Sequence, residues 1–359
     1  MSPQRRLGIV KKVKRVVVKV GTAVLTTPTG TLDEDQVARL ADQVALLCER
    51  GVKVVVVTSG AIGAGMATLG MKKRPAELPR LQAAAAVGQG KLIAAYEKHF
   101  SRKGFHAAQI LLTREDLDER RRYLNVSNTL HTLLSMGAIP VVNENDTISV
   151  EEIGFLENDA LSMLTAGLVQ ADLLVALSSI RGLYENPSAP LEQRRVVEVV
   201  EGVDGAVAAL ASGEKSARGS GGMEAKLKAV SAATSIGIPV VIADGREDRV
   251  LLRLFDGENL GTLFIPKPER EESRKLWIRF GGRPRGMIRV DEGASKALVA
   301  GGKSLLPSGI VAVEGAFERG DVVLVAARDG AEIGRGLANY SAAEVDKIKG
   351  LKTPAIAGA

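Results

Sequence analysis

Short uninterrupted runs of Val, Ile and Leu recur through the first 265 residues and constrain the fold more than any other feature. Each run is followed by a longer stretch that suits a helix. A continuous apolar run, unlike an alternating one, is typical of a strand covered on both faces, as in parallel sheets. The alternation therefore predicts a three-layer α/β/α sandwich with a mostly parallel sheet. The predicted strands cover residues 15–21, 53–60, 107–113, 139–145, 173–179 and 238–245.

Polar and glycine residues delimit the helices between these strands. The first predicted helix runs from Asp33 to Arg50, with Asp33 and Gln36 spaced as in a capping box and Gly51 as the stop. Further helices are predicted near residues 80–102 and 121–136. Cys48 lies on the apolar stripe of the first helix, which predicts a place in the core.

The pattern changes after residue 265. Two prolines and a cluster of charges predict a linker at residues 266–273. Beyond it the apolar runs are short and separated by glycines, with one helix near residues 292–300. This pattern is typical of a small barrel or sandwich. The predicted organisation is a large domain at residues 14–265, the linker, and a small β-rich domain at residues 274–352.

Composition excludes several classes of protein. Aromatic residues make up 3% of the chain, too few for a base-stacking surface to dominate. One cysteine precludes an internal disulfide, and three histidines beside it leave little for a zinc site. The basic N-terminus lacks the apolar segment of a secretory signal, and no run approaches the ~20 apolar residues of a membrane span. We therefore expect a cytoplasmic protein with no membrane partner.

The net charge of +6 is unevenly distributed. The first 20 residues and the residues after 273 are basic, so the middle of the chain is acidic. This distribution favours separate modules. It does not identify RNA as a partner of either end.

Two Asn–Asp pairs are the strongest candidates for a binding site. Asn143 ends a predicted strand and Asp146 follows it, whereas Asn158 and Asp159 open a predicted helix. An Asp can bind an ammonium group and Asn amides can donate to a carboxylate, so the set suits a zwitterion. The same residue types also favour turns and helix caps, which is the alternative explanation of each pair taken alone.

Lysine and glycine residues near other strand ends suit an anionic ligand. Lys19 lies in a Val-rich strand before Gly21, where an ammonium group needs an anionic partner unless the side chain extends to solvent. Residues 58–65 form a glycine-rich loop after a strand, and residues 219–226 are glycine-rich before a helix. Backbone N–H groups in such segments can bind phosphate. Neither segment has the Walker spacing, and no G-x-G-x-x-G occurs.

Lys19, Lys226, the glycine-rich segments and the acid–amide pairs together suit phosphoryl transfer to a small charged acceptor. Eight segments also resemble, in the same order, those of the glutamate 5-kinase family in the amino-acid-kinase superfamily. They are VVKVGTAVLT, VTSGAIGAG, AAVGQGKLI, LLTREDL, VVNENDTIS, ENDALSMLTA, RGLY and GSGGMEAKL. The stretch from Trp277 to Ile310 resembles a PUA domain, an appendage typical of bacterial members.

The resemblance implies a fold, an activity and a set of site residues. The implied reaction is ATP-dependent phosphorylation of the γ-carboxylate of L-glutamate to L-glutamyl 5-phosphate, the first step of proline biosynthesis. Lys19 and Lys226 would contact the phosphates and Asp159 would organise both lysines. Mg²⁺ would accompany ATP, with no protein ligand of the metal assigned. Glutamate would be held by Ser59, Asp146 and Asn158, with Asn143 as a helper. The implied nucleotide contacts are Lys19, Gly21, Ser178, Ser179, Ser220, Gly221, Gly222, Met223, Glu224, Ala225 and Lys226.

The chain departs from the family pattern at one place. Where the family usually has Thr-Asp after a strand, this chain has Ser178 and Ser179. Ser179 therefore has no carboxylate for a nucleotide or metal contact, whereas Ser178 keeps a hydroxyl group. Arg181, in the usual lysine position, keeps its charge.

Two other functions are compatible with parts of the sequence. Another amino-acid kinase, such as an acetylglutamate kinase, shares the general pattern, but the C-terminal module and the segment NENDTIS argue against it. An RNA-binding PUA protein is the alternative from a different class, and the low aromatic content argues against it. The resemblance further implies proline as a feedback inhibitor, a homo-oligomer (dimer or tetramer) and glutamate-5-semialdehyde dehydrogenase as a partner.

Overall fold

The computed structural model describes residues 3–148, 158–211, 222–266, 278, 284–301 and 304–351. The chain divides into two compact units, one of residues 1–116 and 125–273 and the other of residues 117–124 and 274–359. The predicted linker at 266–273 lies outside the described residues except for Pro266. Its bounds, and those of the two predicted domains, stay predictions.

The first unit is built on an eight-stranded sheet with the order β3-β4-β2-β1-β5-β7-β8-β6. Neighbouring strands pair in parallel, except that β8 pairs antiparallel with β7. The sequence predicted six of these strands and missed β6 and β8, which are too short to stand out as apolar runs. The bounds are β1 Arg15–Val20, β2 Lys53–Val57, β3 Ala107–Leu112, β4 Ile139–Glu144, β5 Leu173–Ser178, β6 Val199–Glu201, β7 Val240–Asp244 and β8 Thr262–Ile265.

Helices cover both faces of this sheet, so the predicted three-layer α/β arrangement is confirmed. The capping box predicted for the helix that follows Asp33 is half correct. Asp33 accepts a hydrogen bond from the backbone N–H of Gln36, but the Gln36 side chain donates to the carbonyl oxygen of Gly245 instead of the cap. The helices are α1 Pro3–Val10, α2 Thr22–Leu25, α3 Glu34–Glu49, α4 Ala61–Thr68, α5 Leu78–Phe100, α6 Arg114–Asp118, α7 Arg120–Ser135, α8 Asn158–Leu168, α9 Gly205–Ala211, α10 Met223–Ser235 and α11 Val250–Phe255.

Helices α4 and α5 cross with their backbones in contact. A Cβ atom added at Gly65 would lie 1.7 Å from the carbonyl oxygen of Ala84. One added at Gly88 would lie 1.8 Å from the carbonyl oxygen of Ala61. The glycine-rich segment 58–65, predicted as a loop, is therefore a short turn followed by a helix. Its glycines serve helix packing in addition to any ligand.

The core of the first unit lies between β1, β2 and β5 and the helices that cover them. Val16, Val18, Val56 and Val175 are buried there. Cys48 is partly buried and packs at the margin of this cluster, close to its predicted place in the core.

The second unit has a four-stranded sheet with the order β10-β9-β11-β12. Its own core includes Ile288, Val290, Phe317 and Val323. The sheet and the helix after β9 agree with the predicted small β-rich domain, and the described residues add a second helix that the sequence did not predict. The bounds are β9 Gly286–Val290, α12 Glu292–Gly301, β10 Ile310–Gly315, β11 Val322–Ala326, β12 Glu332–Leu337 and α13 Ala342–Ile348. Across the described ranges of both units, no helix has the length and apolar character needed to span a bilayer.

Candidate active site

Polar side chains collect at the carboxyl edge of the central strands. Lys19 of β1 pairs with Val57 of β2 and with Ala176 of β5. Ser59 and Ser178 come two residues after those partners. In parallel sheets the carboxyl ends meet at one edge, where ligands bind. Residues far apart in sequence therefore converge here because of strand order.

Two lysines converge on one aspartate at this edge. The Lys19 ammonium lies 2.6 Å from Oδ1 of Asp159, and the Lys226 ammonium lies 3.4 Å from Oδ2. The side chains are 7%, 11% and 5% exposed for Lys19, Lys226 and Asp159. Lys19 reaches the site from β1, Asp159 from the first turn of α8, and Lys226 from the first turn of α10.

The charges of this cluster stabilise one another. Burial favours the neutral form of Asp159, but the charges and hydrogen bonds of Lys19 and Lys226 outweigh it and hold the pKa of the carboxyl below its ordinary value. The positive end of the α8 dipole also favours a carboxylate in the first turn. Asp159 therefore stays ionised at neutral pH and holds two ammonium groups side by side. Asp159 is thus the anionic partner that the buried Lys19 ammonium group requires, and the lysine side chain does not extend to solvent.

Ser59 ties the ends of β1 and β2 together. Its hydroxyl group donates a 2.9 Å hydrogen bond to the carbonyl oxygen of Val20, and the side chain is buried. The hydroxyl oxygen keeps its lone pairs as acceptors. Ser59 can therefore still accept a hydrogen bond from an ammonium group, but its hydroxyl proton is already donated to Val20. Gly60 follows with a φ of 102°, which favours glycine and turns the chain into α4.

Asn143 and Gln89 form a buried amide pair beside this turn. Nδ2 of Asn143, at the end of β4, donates a 2.9 Å hydrogen bond to Oε1 of Gln89 in α5. The residues are 2% and 9% exposed. Nε2 of Gln89 is buried without a hydrogen-bond partner among the described residues.

The other acid–amide residues lie around the same edge. Asn158 opens α8 directly before Asp159, and its buried Oδ1 atom has no hydrogen-bond partner in the described part of the chain. Asp146 follows β4 and is partly buried. Burial raises the pKa of Asp146 to about 6, and the positive charge of Arg74 opposes that rise.

The predicted nucleotide contacts are only partly described. Ser220 and Gly221 lie outside the described residues. Gly21 lies over the Lys19 side chain, and Ser178 is buried at the end of β5. Ser179 is exposed. Gly222 is the N-cap of α10, and of the residues that follow it Met223 is buried and Ala225 is partly buried. Glu224 is exposed and forms an ion pair with Lys228.

Comparisons with known proteins bear on this geometry. The amino acid kinase family model matches residues 14–244, and the PUA domain model matches residues 286–358. A glutamate 5-kinase from Caldanaerobacter subterraneus subsp. tengcongensis is 50% identical to the chain, and the match covers 94% of this chain and 91% of that protein. One from Syntrophus aciditrophicus is 46% identical, with 98% and 91% covered.

The chain belongs to the glutamate 5-kinase group of the amino acid kinase family. The resemblance stated from its sequence motifs is thereby confirmed. A carbamate kinase from Giardia lamblia bound to AMP-PNP, at 18% identity and a TM-score of 0.51, shares the fold over 71% of this chain and 99% of that protein. At that identity the likeness concerns the fold alone.

Sequence reasoning missed two residues of this candidate site. Gln89 lies in the motif AAVGQGKLI, which carried part of the family resemblance, yet no role was assigned to it. Arg74 follows α4 and acts on Asp146 through its charge. A glutamine flanked by two glycines on an alanine-rich helix was the available signal for Gln89. Nothing in the sequence indicated that Arg74 is near Asp146.

Proposed function

We propose that this kinase transfers the γ-phosphoryl group of ATP to the γ-carboxylate of L-glutamate, which gives L-glutamyl 5-phosphate and ADP. This is the first step of proline biosynthesis. The single observation that carries the proposal is the Lys19–Asp159–Lys226 cluster at the carboxyl edge of the sheet. Two fixed cations suit the oxygens of a phosphoryl group in transfer, where charge is greatest.

The acceptor needs little chemical activation. An oxygen of the γ-carboxylate attacks the γ-phosphorus of ATP, a new P–O bond forms, and the bond to the β-phosphate oxygen breaks as ADP leaves. A free carboxyl has a pKa near ~4.3, so the nucleophile is already ionised at neutral pH and no general base is required. The protein must instead align two anions and offset their repulsion. We assign that work to Lys19 and Lys226, with Asp159 setting their positions.

The amino-acid end of glutamate requires groups of both signs. We assign the α-ammonium to Asp146 and to the hydroxyl oxygen of Ser59, since both can accept hydrogen bonds. Asn158, next to Asp159, presents a carbonyl oxygen that has no hydrogen-bond partner among the described residues, and this oxygen also suits an ammonium donor. An acetyl group on the nitrogen would remove the positive charge and leave the Asp146 carboxylate unpaired. Free glutamate is therefore the expected substrate, and N-acetylglutamate is not.

ATP and Mg²⁺ fit the residues at hand. The backbone N–H groups at the start of α10 and the two lysines suit phosphate oxygens. The described residues contain no convergent group of three His, Cys, Asp or Glu side chains. Both oxygens of Asp159 already contact lysines. Mg²⁺ often relies on substrate phosphates and water for most of its ligands, and bound in this way it neutralises phosphate charge.

The family also supports proposals about regulation and partners. We propose proline as a feedback inhibitor, a homo-oligomer (dimer or tetramer), and action in the cytoplasm. Acyl phosphates hydrolyse readily, so direct transfer of the product to glutamate-5-semialdehyde dehydrogenase is the proposed protein partnership. Light scattering of the purified protein, with and without proline, tests the oligomer and any change that the inhibitor causes.

A comparison of acceptors tests the proposed reaction. ADP release is measured with ATP, Mg²⁺ and either L-glutamate, N-acetylglutamate, aspartate or UMP, and hydroxylamine traps any acyl phosphate as a hydroxamate. L-Glutamate should give the highest kcat/KM and a stoichiometric hydroxamate. A preference for N-acetylglutamate, or ADP release without hydroxamate, contradicts the proposal.

A further inference from the structure

Gln89 is held rigidly next to the turn that precedes α4. Its neighbour Gly88 is in backbone contact with Ala61 and Gly65, so this part of α5 cannot move relative to α4. The turn carries Ser59, at the edge where Lys19 lies. The position of the Gln89 side chain is therefore fixed by two helices before any ligand binds.

The two ends of the Gln89 amide have different environments. Oε1 accepts the hydrogen bond from Asn143 at 2.9 Å. Nε2 is buried and has no hydrogen-bond partner among the described residues. A buried donor without an acceptor costs free energy, so each such group in a native protein calls for an explanation, and a bound ligand is one. The Gln89 amide group cannot rotate to give Nε2 a different acceptor, because that rotation would break the hydrogen bond from Asn143 to Oε1.

Strand order indicates which end of glutamate meets this donor. Lys19 lies on β1, whereas Asn143 lies on β4, with β2 between them. Adjacent strands are roughly 4.8 Å apart, so these two ends of the site are separated by roughly the length of a glutamate molecule. The phosphoryl group is at the Lys19 end under the proposed function. The α-carbon end then lies over β4, where Asp146 also follows the strand.

We propose that Nε2 of Gln89 donates a hydrogen bond to the α-carboxylate of the bound amino acid, and that Asn143 positions this donor. Gln89 is then a specificity-determining residue that requires a free α-carboxylate. Asn143 acts through Gln89, so it is a positioning residue. This inference rests on the proposed glutamate kinase activity.

The test uses three Gln89 variants and two substrates. Gln89→Met keeps the volume without a polar atom, and Gln89→Ala removes the amide. Each should raise KM for glutamate by about 10- to 100-fold with KM for ATP unchanged, since hydrogen bonds to charged groups are stronger than neutral ones. Gln89→Glu keeps an acceptor for Asn143 but presents an anion to the α-carboxylate. Its KM for glutamate should rise further.

L-Isoglutamine, the α-amide of glutamic acid, provides the decisive comparison because it keeps the γ-carboxylate that is phosphorylated. Wild type should prefer glutamate over isoglutamine, whereas Gln89→Glu should reverse or abolish that preference because a carboxylate accepts from an amide. Asn143→Ala should change KM in the same direction as Gln89→Ala, and the double variant should add little. Ala86→Glu, which places a carboxylate at an exposed position three residues earlier in α5, is the control and should leave both KM values unchanged.

The outcomes separate this inference from the proposed function. If wild type does not phosphorylate glutamate, the proposed function is wrong. If wild type does so but Gln89→Met and Gln89→Glu keep the wild-type KM and preference, the inference is wrong. It is also wrong if the variants lower only thermal stability, or if they raise KM for ATP as much as KM for glutamate. Gln89→Met should fold even where Gln89→Ala does not, since it leaves no cavity, although both variants leave Nδ2 of Asn143 without its acceptor.

Discussion

A side chain at Gly88 would place its Cβ atom 1.8 Å from the carbonyl oxygen of Ala61. This relationship between two small residues lets α5 and α4 touch along their backbones. It thereby fixes both the turn at Ser59 and the amide of Gln89. A packing requirement remote from the reacting atoms thus sets the geometry of the substrate end of the site.

Gly88→Ala should therefore destabilise the protein and impair glutamate binding together. Overpacking of this kind costs about 1–3 kcal/mol, and the displaced α4 should raise KM for glutamate. Gly90→Ala is the matched control, because its Cβ would have no atom within 4 Å and should stabilise the helix by roughly 0.4–1 kcal/mol. Urea unfolding and glutamate kinetics of both variants check this. Equal stability of the two variants would contradict the packing argument.

Lys19→Ala and Lys226→Ala should each lower kcat far more than they change KM for glutamate. The proposed interactions are strongest with the phosphoryl group in transfer, and loss of one such contact costs ~2.7–4 kcal/mol, or roughly 100- to 1000-fold in rate. Lys228→Ala is the matched control, since Lys228 is an exposed lysine on the same helix that pairs with Glu224. Steady-state kinetics decide the matter. A Lys19→Ala variant with normal kcat would show that Lys19 is structural.

Asp159→Asn should reduce stability in a pH-dependent manner. The folded-state pKa of Asp159 lies below its ordinary value, so the ion pairs contribute stability above the unfolded pKa and lose it as pH falls through the folded one. At pH 7 the variant should be less stable by roughly 3–5 kcal/mol, and this difference should shrink below about pH 4. Denaturant unfolding at pH 7 and pH 3.5 measures it.

Asp256→Asn is the control for that experiment. Asp256 pairs with Arg50 on the surface at 2.8 Å, where such pairs contribute about 0–1 kcal/mol. Asp159→Asn should lower the free energy of unfolding far more than Asp256→Asn does. The assigned role of the cluster would be contradicted if the two losses were equally small, or if the loss in Asp159→Asn did not depend on pH.

Glutamate binding should weaken in mild acid because of Asp146. Burial raises the pKa of Asp146 to about 6, so below that value its carboxyl becomes neutral and no longer attracts the ammonium group. We expect kcat/KM for glutamate to fall roughly tenfold per pH unit below about 6. This fall in kcat/KM below about pH 6 should be absent in Asp146→Asn, which should also have a raised KM for glutamate at pH 8.

The sign of the stability effect provides an independent check. A raised folded-state pKa means that Asp146 contributes to stability below its unfolded pKa and that this contribution is lost as pH rises through about 6. Asp146→Asn should therefore be more stable than wild type at pH 8 in the absence of ligand. A destabilised variant there would show that the carboxylate has a structural partner instead.

Sequence alone determined the strands and helices that carry the site. Uninterrupted apolar runs such as residues 54–57 are typical of parallel strands, because helices cover both faces of a parallel sheet. The family motifs also located Lys19, Asp159 and Lys226 in the chain. These features are local, and a run of neighbouring residues is enough to reveal them.

Only the tertiary structure decided which residues meet. The hydrogen bond between Gln89 and Asn143 and the charge of Arg74 near Asp146 depend on strand order and helix crossing. The family resemblance had already implied that Asp159 organises Lys19 and Lys226, and the structure supplies the distances. The glycines of residues 60–65 were interpreted as a ligand loop because their packing against α5 is invisible in a local window. Burial and long-range pairing are set by chain crossings that the pattern of neighbouring residues does not encode.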